Sequence, residues 1–422
     1  MLKNILNTIR LYWRTEEIRK KVFFSLLVLI VFRVLASIPV VGIPAKALSQ
    51  LFAGSNFGDL LSTISGGVLE TASIAAIGLT PYINASVTIQ LLTPVIPKLE
   101  ELRKEGSNGR RIISLYTRLL TVPLAILQSF IIYSTLRGFN LMPVLDSMEL
   151  LAMSATLTAG SIVIMWLGEL LSESGLGNGS SFLIFLGILA GIPGALTGNL
   201  KFMDPTQKII FVLLNLALVA VVVLISEAER RIKVQYSRRV RTGGSAESFI
   251  PLKLTQSGVM PVIFAISLLS FPELIGRFLL SRNINDTVNL YSTNVINFLS
   301  NPYVQNIGMF LLIISFSFFY VTVVFNTKEI AENLQKNGGF IQGIRPGSST
   351  AKYLRSISFR LTAVGATILA LLSVLPNVLL SFGLISQALI TGTGLLIVIG
   401  VVLDMRRQVR SMAVVKDYGR YI

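Results

Sequence analysis

The stretch IAAIGLTPYINASVTIQLL, residues 74–92, has the length of a membrane span and an unusual make-up for one. Gly78 and Pro81 sit in its first half, and Thr80, Asn84, Ser86, Thr88 and Gln90 run through its body. About 20 mostly apolar residues cross a bilayer as a helix, so the length predicts a span, while the Gly and Pro predict that it breaks easily. Leu79, Ile83, Ser86 and Gln90 fall on one helical stripe, and Thr80, Asn84 and Thr88 fall on the next. One stripe begins aliphatic and ends polar. On these residues alone two readings stand: packing against other membrane helices, where small and polar residues hydrogen-bond across interfaces, or one wall of a lined cavity.

Composition sets the surroundings. Of the 422 residues 52 % are hydrophobic and 14 % charged, and the mean hydropathy is +0.71; this is the balance of an integral membrane protein, not a soluble domain. The absence of Cys and His from the sequence excludes disulfides, thiolate and imidazole metal sites, Cys nucleophiles and His-based triads. Neither a cofactor nor a metal is expected. A net charge of +16 points to an anionic partner or membrane face where the charge is clustered.

The basic, amphipathic start MLKNILNTIRLYWRTEEIRKK leads into a full apolar run without a small-residue cleavage pattern, so the first span is expected to stay in the mature chain. Apolar runs predict about ten spans, near 22–41, 74–92, 112–136, 150–171, 179–198, 207–226, 257–280, 303–325, 357–381 and 387–403. Lys and Arg between them fall almost wholly on one side: the N-terminal tail, PKLEELRKEGSNGRR, AERRIKVQYSRRVRTGG, the stretch Lys328 to Arg355, and the C-terminal tail. The positive-inside rule then places both termini in the cytoplasm, which suits an even number of spans.

Two loops on the basic side, about 227–256 and 326–356, are far longer than a connection of roughly 2–8 residues requires. The first carries Arg230, Arg231, Lys233, Arg238, Arg239 and Arg241 around Val234 and Tyr236, an alternation that predicts a short β-hairpin or extended finger. In the second, Gly343-Ile344-Arg345-Pro346-Gly347 predicts a tight turn with Arg345 at a rigid tip. Both are open to a plain reading as solvated, positive-inside anchors.

Within the spans Arg33 is central, while Arg118, Glu169 and Glu273 lie near ends. No acidic residue sits clearly at mid-membrane, which argues against a carboxylate-coupled secondary transporter with broken helices. An intramembrane protease, invited by Gly160-Ser161 and Gly179-Ser180, lacks its histidine. Ahead of residue 74 lies a short apolar piece, Phe57 to Ile64, closed by Gly66-Gly67. Its length is that of a re-entrant or interfacial segment, and beside a breakable span it suggests a movable stopper.

The blocks VFRVLASIPVVGIP (31–44), IGLTPYINASVTIQLL (77–92), EGSNGRRIISLYTR (105–118), MWLGELLSESGLGNGSSFLIFLGILAG (165–191), AERRIKVQYSRRV (228–240), PLKLTQSGVMPVIFA (251–265), VFNTKEIAENLQKNGGFIQGIRPGSSTAKYL (324–354) and TGTGLLIVIGVVLDM (391–405) resemble, in order and along the whole chain, the bacterial SecY family of protein-translocation channels. The resemblance implies an all-α polytopic membrane protein, with ten helices in two inverted five-helix halves around a central hourglass pore, no catalytic residues, and a side opening to lipid. On this sequence the cytoplasmic amphipathic segment is 1–21, the halves are 22–198 and 207–403, and the cytoplasmic tail is 404–422.

Carried over by motif, the pore ring falls on Leu79, Ile83, Ser180, Ile184, Ile263 and Ile397, and the plug of about 57–67 includes Phe57, Gly58, Leu60, Leu61, Ile64, Gly66 and Gly67. Ser86 and Gln90 face Ser257 across the implied lateral gate, and Arg230, Arg231, Arg238, Arg239, Arg241 and Arg345 form the docking face. The implied partners are the small membrane subunits SecE and SecG, the SecA ATPase motor, the ribosome through its RNA and proteins, signal peptides and nascent chains, and lipid. The implied location is the bacterial cytoplasmic (inner) membrane. Ser180 departs from the aliphatic pattern of the ring; at a helix start its hydroxyl is expected to turn back to backbone amides as a cap, above the narrowest point.

Overall fold

The computed structural model describes residues 16–40, 72–138, 142–201, 204–236, 248–282, 285–381 and 391–418. Among them are thirteen helices and three short strands. In chain order these are α1 Glu16–Ser37, α2 Thr80–Leu92, α3 Pro97–Lys104, α4 Ser107–Gly138, α5 Ser147–Ser174, α6 Gly179–Lys201, α7 Pro205–Glu227, β1 Glu229–Tyr236, β2 Ser248–Lys253, α8 Met260–Arg282, α9 Asp286–Ser300, α10 Pro302–Val324, α11 Thr327–Lys336, β3 Gly339–Phe340, α12 Ser348–Ser381 and α13 Gly392–Tyr418.

By length and apolar content, six helical runs among the described residues can cross a membrane: Ser107–Gly138, Ser147–Ser174, Pro205–Glu227, Met260–Leu280, Pro302–Lys336 and Ser348–Leu380. The other expected spans lie on α1, α2, α6 and α13; parts of three of these stretches fall outside the described residues or side chains. Local chemistry sets several starts. The Asp146 amide donates to the Glu149 carboxylate (3.1 Å) ahead of α5, and the Asp204 amide to the Gln207 side chain (3.2 Å) ahead of α7; each satisfies a backbone donor at an entering helix. Pro205 opens α7 at a position where no amide is needed. On α3, Lys104 bonds Glu100 at 2.7 Å and draws its carboxyl below the ordinary value.

The contacts divide the chain into two units, Met1–Phe202 with Ile266–Gln305 and Leu389–Ile422, and Met203–Ala265 with Asn306–Ala388. In the first, α4 packs on α2, α3 and α5, and α5 also meets α1 and α6, which in turn lies on α13. Its apolar centre includes Ala76, Ile77, Ile131, Leu136, Met153, Leu157 and Leu274.

Residues 74–92 are only partly a span. The helix α2 has 13 residues, about 20 Å at 1.5 Å per residue, short of the roughly 30 Å of a hydrocarbon core. The preceding residues form a chain of turns, with amide bonds Ala76→Ser73 (2.8 Å) and Gly78→Ala75 (2.8 Å), and Gly78 takes a φ of +59°. Upstream, 38–40 and 72–74 pair antiparallel, Val40 donating to Ala72 (3.0 Å) and Ile74 to Ile38 (2.9 Å). Non-helical backbone at membrane depth persists only inside protein or beside water. Here α5 covers it: Ser161 Oγ donates to the Gly78 carbonyl at 2.9 Å, and Gly160 lies so close that a Cβ there would stand 2.1 Å from the Ile74 oxygen. The Gly160-Ser161 pair is thus a backbone seat.

In the second unit, β1 pairs antiparallel with β2, Glu229 opposite Lys253 through Val234 opposite Ser248, and on its other edge with β3, Gln235 opposite Phe340. Ile232 and Val234 point inward from β1 onto Leu252, Ile341, Leu354 and Ile357. The hairpin expected around residue 234 is therefore present, and the two long basic loops form one body. Tyr236 lies against Gly339, where a Cβ would meet its ring at 2.9 Å.

Candidate functional site

Leu79 is the residue at which the turn gives way to α2. It is buried, as are Ile83 on α2, Ile184 on α6, Ile397 on α13 and, in the second unit, Ile263 on α8. The helices bearing Ile184 and Ile397 pack on each other. Ser180 is half-buried in the first turn of α6. Its hydroxyl donates to Asn178 Oδ1 (3.0 Å), and the same oxygen accepts the Ser181 amide (3.2 Å). The cap at this end is therefore Asn178, not Ser180, a correction with a plain cause: Asn178 stands just outside the helix, where its carbonyl can reach the free amides. The Gly177-Asn178 pair was the available signal.

Gln90 Nε2 donates to Ser86 Oγ at 2.9 Å, one turn apart on α2, so these two polar groups are bonded within their own helix. Thr88 Oγ1 likewise donates to the Asn84 carbonyl (2.8 Å). Ser257 is buried beside Gly258 in the second unit. Within the first unit, α4 and α8 flank an apolar groove of about 640 Å³ lined by Pro123, Ile126, Leu127, Phe130, Ile275 and Phe278, among others. All the plug residues, Phe57 to Gly67, lie outside the described residues, as do Arg238, Arg239 and Arg241.

Arg230 and Arg231 are exposed on β1. Arg231 bonds Glu229 (2.8 Å) and stacks over the Phe249 ring at 4.9 Å, while Arg345 stands exposed on its turn. That turn is fixed by Thr350 Oγ1 donating to the Arg345 carbonyl (2.9 Å), and Gly347 holds a φ of +94°. The joining of the loops through β3 eluded sequence reading, since a two-residue strand carries no periodicity.

Two ion pairs lie in or near the spans. Arg118 meets Glu169 at 2.7 Å from α4 to α5, and the buried Glu273 meets Arg277 at 2.8 Å along α8. Arg33 is exposed on α1, in keeping with a long side chain that reaches toward the interface. Among the described residues no group of acidic side chains could hold a metal.

The helical, multi-pass architecture matches that of a protein-conducting channel: a solved structure of one superposes with a TM-score of 0.68 at 17 % identity, covering 93 % of this chain and 92 % of that one. Sec61 in the canine ribosome-channel complex superposes with a TM-score of 0.63 at 17 % identity, with the same coverage of both chains. The model of the SecY family matches residues 73–406. The SecY protein translocase subunit of Corynebacterium glutamicum is 38 % identical over 96 % of this chain and 97 % of its own length. That of Streptomyces galbus is 39 % identical, over 97 % and 98 %. The chain belongs to the SecY family. It is a protein-conducting channel of the Sec translocase and a multi-pass membrane protein, not an enzyme.

Proposed function

We propose that the chain conducts unfolded polypeptides across the bacterial cytoplasmic membrane, with both termini in the cytoplasm, and releases apolar helices sideways into lipid. The observation that carries this reading is the turn at 74–79, which ends at Leu79 and is seated in protein by Gly160 and Ser161. It delivers Leu79 and Ile83 from a fixed base. With Ile184, Ile263 and Ile397 they form the ring, and Ser180 stands at its rim. An aliphatic ring suits any sequence because dispersion contacts are non-directional, and it resists ions by dewetting. The stopper is the segment about 57–67; in a SecY protein of the same fold a plug domain stabilises the closed state and maintains the membrane seal.

The lateral gate runs between α2, with Ser86 and Gln90, and α8 near Ser257. Polar groups at such a seam hold it by about 0.6–2 kcal/mol each. Ser86 and Gln90 bond each other within α2, and the apolar groove between α4 and α8 gives a signal helix that parts the seam a surface to lie on.

The joined basic body is the docking face for the ribosome, whose RNA phosphates release counterions on contact, and for the SecA motor. SecE and SecG complete the channel in the membrane. The sequence has no phosphate-binding P-loop pattern, so the energy comes from a partner.

Two experiments test these assignments. Arg345→Glu, or Glu at Arg238, Arg239 and Arg241 together, is expected to slow translocation into reconstituted vesicles about tenfold, equivalent to ~1.4 kcal/mol of docking, without loss of folded protein. Wild-type rates in both variants would remove the docking assignment. Ser180→Ile is expected to leave basal ion conductance in planar bilayers unchanged, since its hydroxyl is engaged with Asn178. A clear fall in leak would make it a ring member.

A further inference from the structure

The helix α9, Asp286–Ser300, joins the end of α8 to the start of α10. Both of those are long and apolar enough to be spans, and α9 connects them, folding back along the last turns of α8. Its 15 residues carry a single charge, Asp286 in the first turn. One face lies on α8: Ser292 is buried, Ile296 stands 3.1 Å from where a Cβ on Gly276 would be, and Ser300 Oγ donates to Glu273 at 3.4 Å.

The apolar surface of α9 is wider than this contact. Tyr291, Val295 and Phe298, at steps of four and three, form a neighbouring stripe that is 70 %, 42 % and 63 % exposed. Leu290, also exposed, lies off that stripe, and Thr293 and Asn297 occupy the polar side. Tyr303, in the first turn of α10, is 71 % exposed. An amphipathic helix held by its neighbours at the edge of the hydrocarbon, with aromatic rings along its open apolar side, has the chemistry of an interfacial helix. Water would be a poor occupant for this stripe.

We propose that α9 lies in the membrane–water interface, with Tyr291, Val295 and Phe298 seated among lipid headgroups and the first methylenes, and that it thereby fastens the adjoining end of α8 to the bilayer surface. The absence of cysteine from the sequence makes the test direct. Phe298→Cys, Val295→Cys and, as a polar-side reference, Asn297→Cys each give one nitroxide site on the full chain in phospholipid vesicles.

Collision with oxygen is expected to exceed collision with a water-soluble nickel chelate at 298 and 295, with the order reversed at 297. Nickel access at 298 and 295 equal to that at 297 would place the stripe in water and overturn the proposal. Low access to both reagents with an immobilised spectrum would show a protein cover, such as a partner helix, and overturn it equally. The two stripe positions are independent, so failure of one variant to fold leaves the other to decide.

Discussion

Gly160→Ala is expected to deplete folded protein from membranes severely. The new Cβ would stand 2.1 Å from the Ile74 carbonyl oxygen and 2.5 Å from its Cγ2, where the first obstacle is backbone and cannot rotate away. Relief requires α5 to back off the turn, and Ser161 then loses its bond to the Gly78 carbonyl. Overpacking a tight interior costs about 1–3 kcal/mol, and an unsatisfied buried carbonyl adds about 1–3 kcal/mol. The sum, about 2–6 kcal/mol, is a large part of the roughly 5–15 kcal/mol margin of a typical domain. The measurement is the monodisperse fraction after mild extraction, with Ser161→Ala as a companion that removes the bond alone and is expected to have the smaller effect. If Gly160→Ala matched the wild type in yield and thermal stability, the backbone seat would have to be abandoned.

The second large effect is expected in ion conductance. Replacing Ile83 and Ile184 together by serine exchanges two aliphatic walls for hydroxyls that hold water. Each buried Ile side chain is worth about 1.5–3 kcal/mol of apolar transfer, and each 1.36 kcal/mol removed from a barrier is about tenfold in rate. Basal leak in planar bilayers is therefore expected to rise by at least about tenfold, and deletion of residues 57–66 should raise it as well. Unchanged conductance in both would sink the ring and the stopper together. A rise with the deletion alone would remove Ile83 and Ile184 from the ring.

These expectations draw unequally on sequence. Long apolar runs read cleanly as membrane helices because only an internally bonded backbone survives in hydrocarbon. The basic hairpin was legible from its alternation around Val234, which points inward on β1, whereas Tyr236, read with it, is exposed. The boundary inside 74–92 was signalled by Gly78 and Pro81, but not its seat. The bond from Ser161 to Gly78 joins residues 83 apart, and no local pattern announces a partner at that distance. The helix α9 escaped notice because Asn, Ser and Thr dilute its apolar residues well below span hydropathy; its trace was the spacing of Tyr291, Val295 and Phe298. The bond from Gln90 to Ser86 joins, within one helix, two polar residues read as facing a seam.

The pairing of 38–40 with 72–74 has a kinetic meaning for the proposed stopper. That segment is flanked on either side by described residues that meet in one stitch. Its target is then always nearby, at an effective concentration of millimolar order for a short tether. Resealing after a polypeptide has passed becomes a unimolecular event, independent of how many channels the membrane holds and of any soluble factor that would otherwise have to diffuse to the site.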